Sequence, residues 1–119
     1  MRSPVVRLLL LLLCGAVLVA GAVLLTLDPA PYVVTAIDYH FHDAHPTLPI
    51  ADGRDLLVDN EGRNVHNVTI DALGVSSDVQ PGERLTIDDI AARLPPGSYA
   101  LICRYHEDRG MTGTIVIAG

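Results

Sequence analysis

The chain has 119 residues, of which 50% are hydrophobic and 18% charged, and its formal net charge is −6. Lysine is absent, and from Asp28 onward six arginines stand against all fourteen acidic residues, a formal charge of −8. This balance excludes nucleic-acid binding as the main function, because such proteins carry a basic surface. It is compatible with electrostatic steering of a positively charged partner protein. The length suits one domain behind a short leader.

The leader is an uncharged hydrophobic stretch from Leu8 to Leu27, preceded by Arg2 and Arg7. Twenty residues in an α-helix can just cross a bilayer. Arginines before the stretch and Asp28 after it place the N-terminus in the cytoplasm. We therefore expect residues 1–28 to be a signal-anchor or transmembrane helix that contacts the membrane through residues 8–27. The domain of residues 29–119 would then lie on the extracytoplasmic side of the cell membrane.

A cleaved signal peptide is the alternative to this anchor. Ala20-Gly21-Ala22 is a suitable small-residue cleavage site, and the domain would then be secreted or periplasmic. Cleavage there would leave the apolar segment 23–27 as an exposed tail. That consequence favours the uncleaved anchor.

Beyond the leader, the pattern predicts short β-strands separated by turns. Residues 33–42 are β-branched and aromatic, which predicts one strand with His40 and His42 on the face opposite Tyr39 and Phe41. The proline-rich stretch 45–50 predicts an edge or a loop. Further strands are predicted over residues 55–60, 65–71, 85–87, 98–103 and 112–118, with at most a one- or two-turn helix over 88–94. This pattern predicts an all-β, two-sheet Greek-key β-sandwich behind one N-terminal hydrophobic helix.

Three types of metal donor lie within nine residues near the C-terminus: the Cys103 thiol, the His106 imidazole and the Met111 thioether. Two histidines and one cysteine, with a weak axial methionine, form the ligand set of blue-copper sites. His66 is the natural candidate for the second histidine. Cys14 lies in the leader, so Cys103 has no partner for an intramolecular disulfide. Metal ligation explains an unpaired thiol in an oxidising compartment.

The run Cys103-x-x-His106-x-x-x-Gly110-Met111 resembles the C-terminal signature of the cupredoxins, with plastocyanin- or pseudoazurin-like ligand spacing. Upstream, Asn60-Glu61-Gly62 ahead of His66-Asn67 resembles the segment that carries the first histidine of that family. The resemblance covers about residues 33–118. It implies a cupredoxin domain with one type 1 copper ion that alternates between Cu(I) and Cu(II). The ligands that it implies are His66, Cys103, His106 and Met111.

Two residues depart from the family pattern. Arg104 stands where a serine or threonine usually follows the cysteine, and Tyr105 where a proline commonly precedes the histidine. Proline has no backbone N–H. We therefore expect the Tyr105 N–H to donate a hydrogen bond to the Cys103 sulfur and to raise the redox potential.

His40, His42 and His45 form a second group of histidines. They could bind another metal ion, but no carboxylate or thiol at a suitable spacing completes such a site. We expect solvent-facing side chains.

The resemblance implies a blue copper protein that is not an enzyme and carries single electrons between redox partner proteins. Together with the leader, it predicts a membrane-anchored protein whose partners are extracytoplasmic. The alternative is a chaperone or buffer that delivers copper outside the cytoplasm. A copper oxidase domain is disfavoured, because such domains flank the cysteine with histidines, whereas Ile102 and Arg104 flank Cys103.

Overall fold

Eight β-strands dominate the described part of the chain, which in this computed structural model comprises residues 28–44 and 49–119. The predicted N-terminal helix, its membrane segment 8–27, the cleavage site and His45 lie outside these residues. Within the described ranges, no helix has both the length and the apolar character needed to cross a membrane.

The first sheet has four strands in the order β2-β1-β3-β6. In this sheet β1 pairs antiparallel with β2 and parallel with β3, and β3 pairs antiparallel with β6. The strands are β1 (Tyr32–Ile37), β2 (His40–His42), β3 (Leu56–Asn60) and β6 (Arg84–Ile87).

The second sheet is antiparallel throughout, in the order β5-β4-β7-β8. Its strands are β4 (His66–Ile70), β5 (Val75–Val79), β7 (Gly97–Ile102) and β8 (Thr112–Ile117). Helix α1 (Ile90–Arg93) and the 3₁₀ turns Asp71–Leu73 and Glu107–Arg109 are the helical elements of the described residues.

Both sheets contribute alternate side chains to a single core. Residues two apart on a strand point to the same face, so each strand presents one apolar face to the opposite sheet. Fully buried members of this core include Val34, Leu56 and Val58 from the first sheet and Val68, Ile70, Leu101 and Ile115 from the second. The all-β, two-sheet prediction is confirmed.

The strand predicted over residues 33–42 is in fact two strands. The chain reverses at Asp38 and Tyr39, so that Ile37 pairs with His40 across the turn. Asp38 has a φ of 51°, in the left-handed region that aspartate visits more readily than most residues. The turn moves the buried positions from even residues in β1, such as Val34 and Ala36, to the odd residue Phe41 in β2. Because β2 has only three residues, this change of phase is too short to stand out in the sequence pattern.

Strand β5 was not predicted. Its sequence, Val-Ser-Ser-Asp-Val, has three polar residues in the centre and lies at the edge of the second sheet. An edge strand needs few apolar side chains, because only one face contacts the core, and it therefore lacks a strong sequence signal.

Gly113 allows β8 to approach the segment that follows β2. A Cβ at this position would lie 2.7 Å from the Ala44 Cβ and 3.6 Å from the Phe41 Cβ.

We predict that Gly113→Ala lowers the free energy of unfolding by about 1–3 kcal/mol, the usual cost of overpacking. Urea titration would measure the free energy of unfolding. Gly119→Ala is the control, because its Cβ would meet Pro96 at an ordinary 3.6 Å. Equal stabilities of the two variants would contradict the prediction.

Candidate metal centre

The loop from Cys103 to Met111 joins β7 to β8 and is closed by main-chain hydrogen bonds. Cys103 N–H donates to the Met111 carbonyl at 3.1 Å, and Met111 N–H donates to the His106 carbonyl at 3.1 Å. Gly110, with a φ of 82°, ends the 3₁₀ turn in the left-handed region that glycine adopts without strain. These bonds bring Cys103 and Met111 together at the base of the loop, where both side chains are fully buried.

His66 is the first residue of β4 and is completely buried. It shares the core face of the strand with Val68 and Ile70, since alternate residues point the same way. Neither ring nitrogen has a hydrogen-bond partner among the described residues. A buried polar group without a partner costs about 1–3 kcal/mol. A metal ion bound to the imidazole would supply the missing partner.

The structure brings His66, Cys103 and His106 together, with their donor atoms within 4.8 Å of one another. Cys103 Sγ lies 3.5 Å from His106 Nδ1. Donors bound at roughly 2.0–2.3 Å to one ion lie roughly 3.3–4.0 Å apart, so this distance already fits a shared ion. The imidazole rings of His66 and His106 lie edge to face, with centroids 5.2 Å apart. With Met111 beside them, this set fits one type 1 copper ion.

The Cys103 sulfur accepts a hydrogen bond from the Asn67 N–H, at 3.3 Å. In the described part of the chain, the Tyr105 N–H makes no hydrogen bond to that sulfur, so the predicted hydrogen bond is wrong. Arg104 and Tyr105 lie in a turn closed by the His106 N–H and the Cys103 carbonyl, 3.1 Å apart. The donor comes instead from β4, a segment distant in sequence.

Gly62 allows the chain to pass close to His66. A Cβ there would lie 3.2 Å from His66 Nε2 and 3.3 Å from Asn60 Oδ1. The Asn60 side chain holds this turn, because its Oδ1 accepts from the Gly62 N–H at 2.9 Å and its Nδ2 donates to the Val79 carbonyl at 2.8 Å. The turn before β4 thus restricts the position of the His66 ring.

Tyr39 is a neighbour of the site that sequence reasoning missed. Its ring meets the His106 ring edge to face at a centroid distance of 5.0 Å, and the Arg109 guanidinium lies 4.7 Å from the centroid of the tyrosine ring. The pattern placed Tyr39 within a strand, whereas it belongs to the turn between β1 and β2. Only the position of that turn could have shown the contact.

His40 and His42 do not join this group. Both side chains are exposed on β2, as predicted, with ring centroids 5.9 Å apart.

Burial lowers the pKa of His66 below its ordinary value of 6.5, and the nearby His106 lowers it further, while Asp38 opposes these effects. The lowered pKa favours the neutral imidazole. Neutral imidazole is the form that binds a metal ion.

Comparison with known proteins agrees with this site. The family model of the cupredoxin-like domain matches residues 8–117 of the chain. A comparison with curated proteins finds no match.

Several solved structures share the fold. Copper-containing nitrite reductase from Thermus scotoductus SA-01 is similar with a TM-score of 0.60 and 23% identity over 78% of this chain, which spans only 23% of the reductase. Amicyanin from Paracoccus versutus has a TM-score of 0.56 and 19% identity over 74% of this chain and 81% of its own. A mutant amicyanin in its reduced Cu(I) form has a TM-score of 0.58 and 18% identity, covering 78% of this chain and 87% of its own.

The lowered pKa of His66 predicts acid sensitivity of the metal-free protein. Below pH 6.5 the unfolded chain binds a proton at this histidine before the folded chain does. Stability should therefore fall as the pH drops from 6.5 towards the lowered pKa, by at most about 1.4 kcal/mol per pH unit. Urea titrations between pH 8 and pH 5 would measure the fall.

Two comparisons isolate His66 in that experiment. His66→Gln should flatten the pH dependence of the free energy of unfolding between pH 8 and pH 5, whereas His40→Gln should retain it. Asp78 affects stability only at lower pH, because hydrogen bonds from Asn67 and Tyr105 lower its pKa below the ordinary 3.8. Constant stability from pH 7 to pH 5 would contradict the prediction.

Proposed function

We propose that this chain, which belongs to the cupredoxin-like family, is a type 1 copper protein that carries single electrons between redox partner proteins. The observation that carries the proposal is the fully buried His66, which is grouped with Cys103 and His106. Its two ring nitrogens have no hydrogen-bond partner in the described part of the chain. Soft thiolate and imidazole donors together suit copper. The ligands that we propose are those three residues and Met111.

Bound copper would supply a one-electron couple between the cuprous and cupric forms. The protein would hold the ligands in nearly the same place for both forms. Cys103 and Met111 are fixed by the hydrogen bonds that close their loop, and His66 by its position in β4. Small rearrangement of the ligands favours fast electron transfer.

Burial separates the roles of the four side chains. His66, Cys103 and Met111 are fully buried, which keeps water from the ion, whereas His106 is half-buried. We propose that the electron leaves through His106, since this ligand reaches the surface. The Asn67 N–H withdraws electron density from the sulfur and so favours the cuprous form.

The location of the protein in the cell is also part of the proposal. We propose that residues 8–27 anchor the chain in the cell membrane, with the copper domain on the extracytoplasmic side. A formal charge of −8 beyond the leader would steer a basic redox partner to the copper domain.

We propose no enzymatic activity. A chaperone that hands copper to another protein is less well supported, because the ligands of a recipient could not easily reach the buried Cys103 and His66.

The test of this function is the visible spectrum of the purified full-length protein loaded with cupric ion. We expect an intense thiolate-to-copper charge-transfer band, which Cys103→Ser abolishes because the thiolate is lost. His40→Ala and His42→Ala are matched controls and should keep the band, since both side chains are exposed outside the site. A colourless copper complex of the unaltered protein would rule out the electron-carrier function.

Met111 gives a second prediction. Met111→Leu should retain copper and raise the reduction potential, because a donor to the cupric form is removed. Met111→Gln should lower the potential, because an oxygen donor stabilises the cupric form. Voltammetry would measure all three proteins. Equal potentials would show that Met111 does not bind the metal ion.

A further inference from the structure

We infer that Arg104 and Tyr105 are positioning residues that hold the ligand loop against the outer face of β4 and β5. Their side chains reach, through one intermediate residue each, the two ends of the Asn67 carboxamide. The Asn67 N–H in turn donates to the Cys103 sulfur. The consequence for copper rests on the proposed function, but the contacts themselves do not.

The first branch starts at Tyr105. Its hydroxyl donates to Asp78 Oδ2 at 2.7 Å. The other carboxylate oxygen, Asp78 Oδ1, accepts from Asn67 Nδ2 at 2.9 Å. Asp78 belongs to β5 and is paired with Asn67 in the register of the two strands. One carboxylate therefore links the loop to the sheet.

The second branch starts at Arg104. Its Nε–H donates to Thr69 Oγ1 at 3.1 Å, and the Thr69 hydroxyl donates to Asn67 Oδ1 at 2.6 Å. Thr69 and Asn67 are 1% and 5% exposed, so the bond between their side chains is shielded from water. The Arg104–Asp71 contact, at 3.3 Å, is different. Both of its side chains are mostly exposed, and such pairs contribute little.

The donors and acceptors of this network are mutually consistent. Thr69 has one hydroxyl proton, which Asn67 Oδ1 accepts, so the Ser76 hydroxyl must donate across its 3.0 Å contact with Thr69 Oγ1. Ser76 Oγ then accepts from Asn67 Nδ2 at 3.3 Å. The carboxylate of Asp78 requires a donor, which fixes the amide orientation of Asn67. Every contact in the network therefore pairs one donor with one acceptor.

The network explains how the loop is held without a proline before His106. A proline ring would restrict φ at position 105, and tyrosine has no such restriction. The Tyr105 hydroxyl supplies a restraint from outside the backbone, and Arg104 supplies another. Both end on the residue whose N–H meets the sulfur, so a loosened loop would also weaken that hydrogen bond.

Amide hydrogen exchange of the metal-free full-length protein tests the inference. Tyr105→Phe and Thr69→Val each remove one hydroxyl and keep the side-chain shape. We expect the amides of His106 and Met111, which close the loop, to exchange about three- to ten-fold faster in each variant. Tyr99→Phe is the matched control, since it removes a hydroxyl that donates to the Pro95 carbonyl, away from the loop. Asp71→Asn removes only the exposed ion pair and should likewise have no effect.

The reduction potential of the copper-loaded protein is the second measurement. Tyr105→Phe should lower the potential, because a weaker hydrogen bond to the sulfur leaves more electron density on the thiolate. Tyr99→Phe should leave it unchanged.

The outcomes separate the inference from the proposed function. If Tyr105→Phe and Tyr99→Phe give the same exchange rates in the loop, the inference is overturned. Faster exchange with an unchanged potential would overturn the step from the loop to the sulfur. If the unaltered protein shows no charge-transfer band, the proposed function fails, and the exchange rates still decide whether Arg104 and Tyr105 position the loop.

Discussion

The site depends on one constraint, namely that both faces of β4 are buried. Every residue from His66 to Ile70 is inaccessible or nearly so. One face directs His66 into the core between the sheets, and the other directs Asn67 and Thr69 against β5 and the ligand loop. A slip of one residue in this strand would exchange the two faces. The register of β4 therefore determines both the position of a ligand and the hydrogen bonds that surround it.

This constraint makes the metal-free protein less stable than its core alone would allow. The imidazole of His66 is buried, and neither nitrogen has a partner among the described residues, although most buried polar groups in proteins find partners. The apolar contacts of Val68 and Ile70, on the same face of the strand, offset that cost. Anything that binds only the folded form stabilises it by mass action. A metal ion would thus strengthen the fold at a buried polar group that lacks a hydrogen-bond partner among the described residues.

Much of the fold and most of the donor set could be predicted from the sequence, because both depend on local patterns. Alternation identified most strands, and the spacing of Cys103, His106 and Met111 indicated one loop. In the site, the errors concern contacts between distant segments. The donor to the sulfur is Asn67 rather than Tyr105, and Tyr39 packs on His106 from a turn that was predicted as part of a strand. Such contacts depend on strand register and turn position, which short-range patterns do not specify.

Arg104 and Tyr105 break the local pattern of the ligand loop, and the sheet beneath them compensates. Each is exposed, and a surface side chain normally tolerates replacement with little effect on stability. Here their polar ends reach Thr69 and Asp78, next to the buried amide of Asn67. The exposed parts of both side chains are therefore free to vary, whereas the Tyr105 hydroxyl and the Arg104 Nε–H are not. The constraint acts on single polar atoms, because those atoms connect the surface of the loop, through Thr69 and Asp78, to the residue that donates to the sulfur.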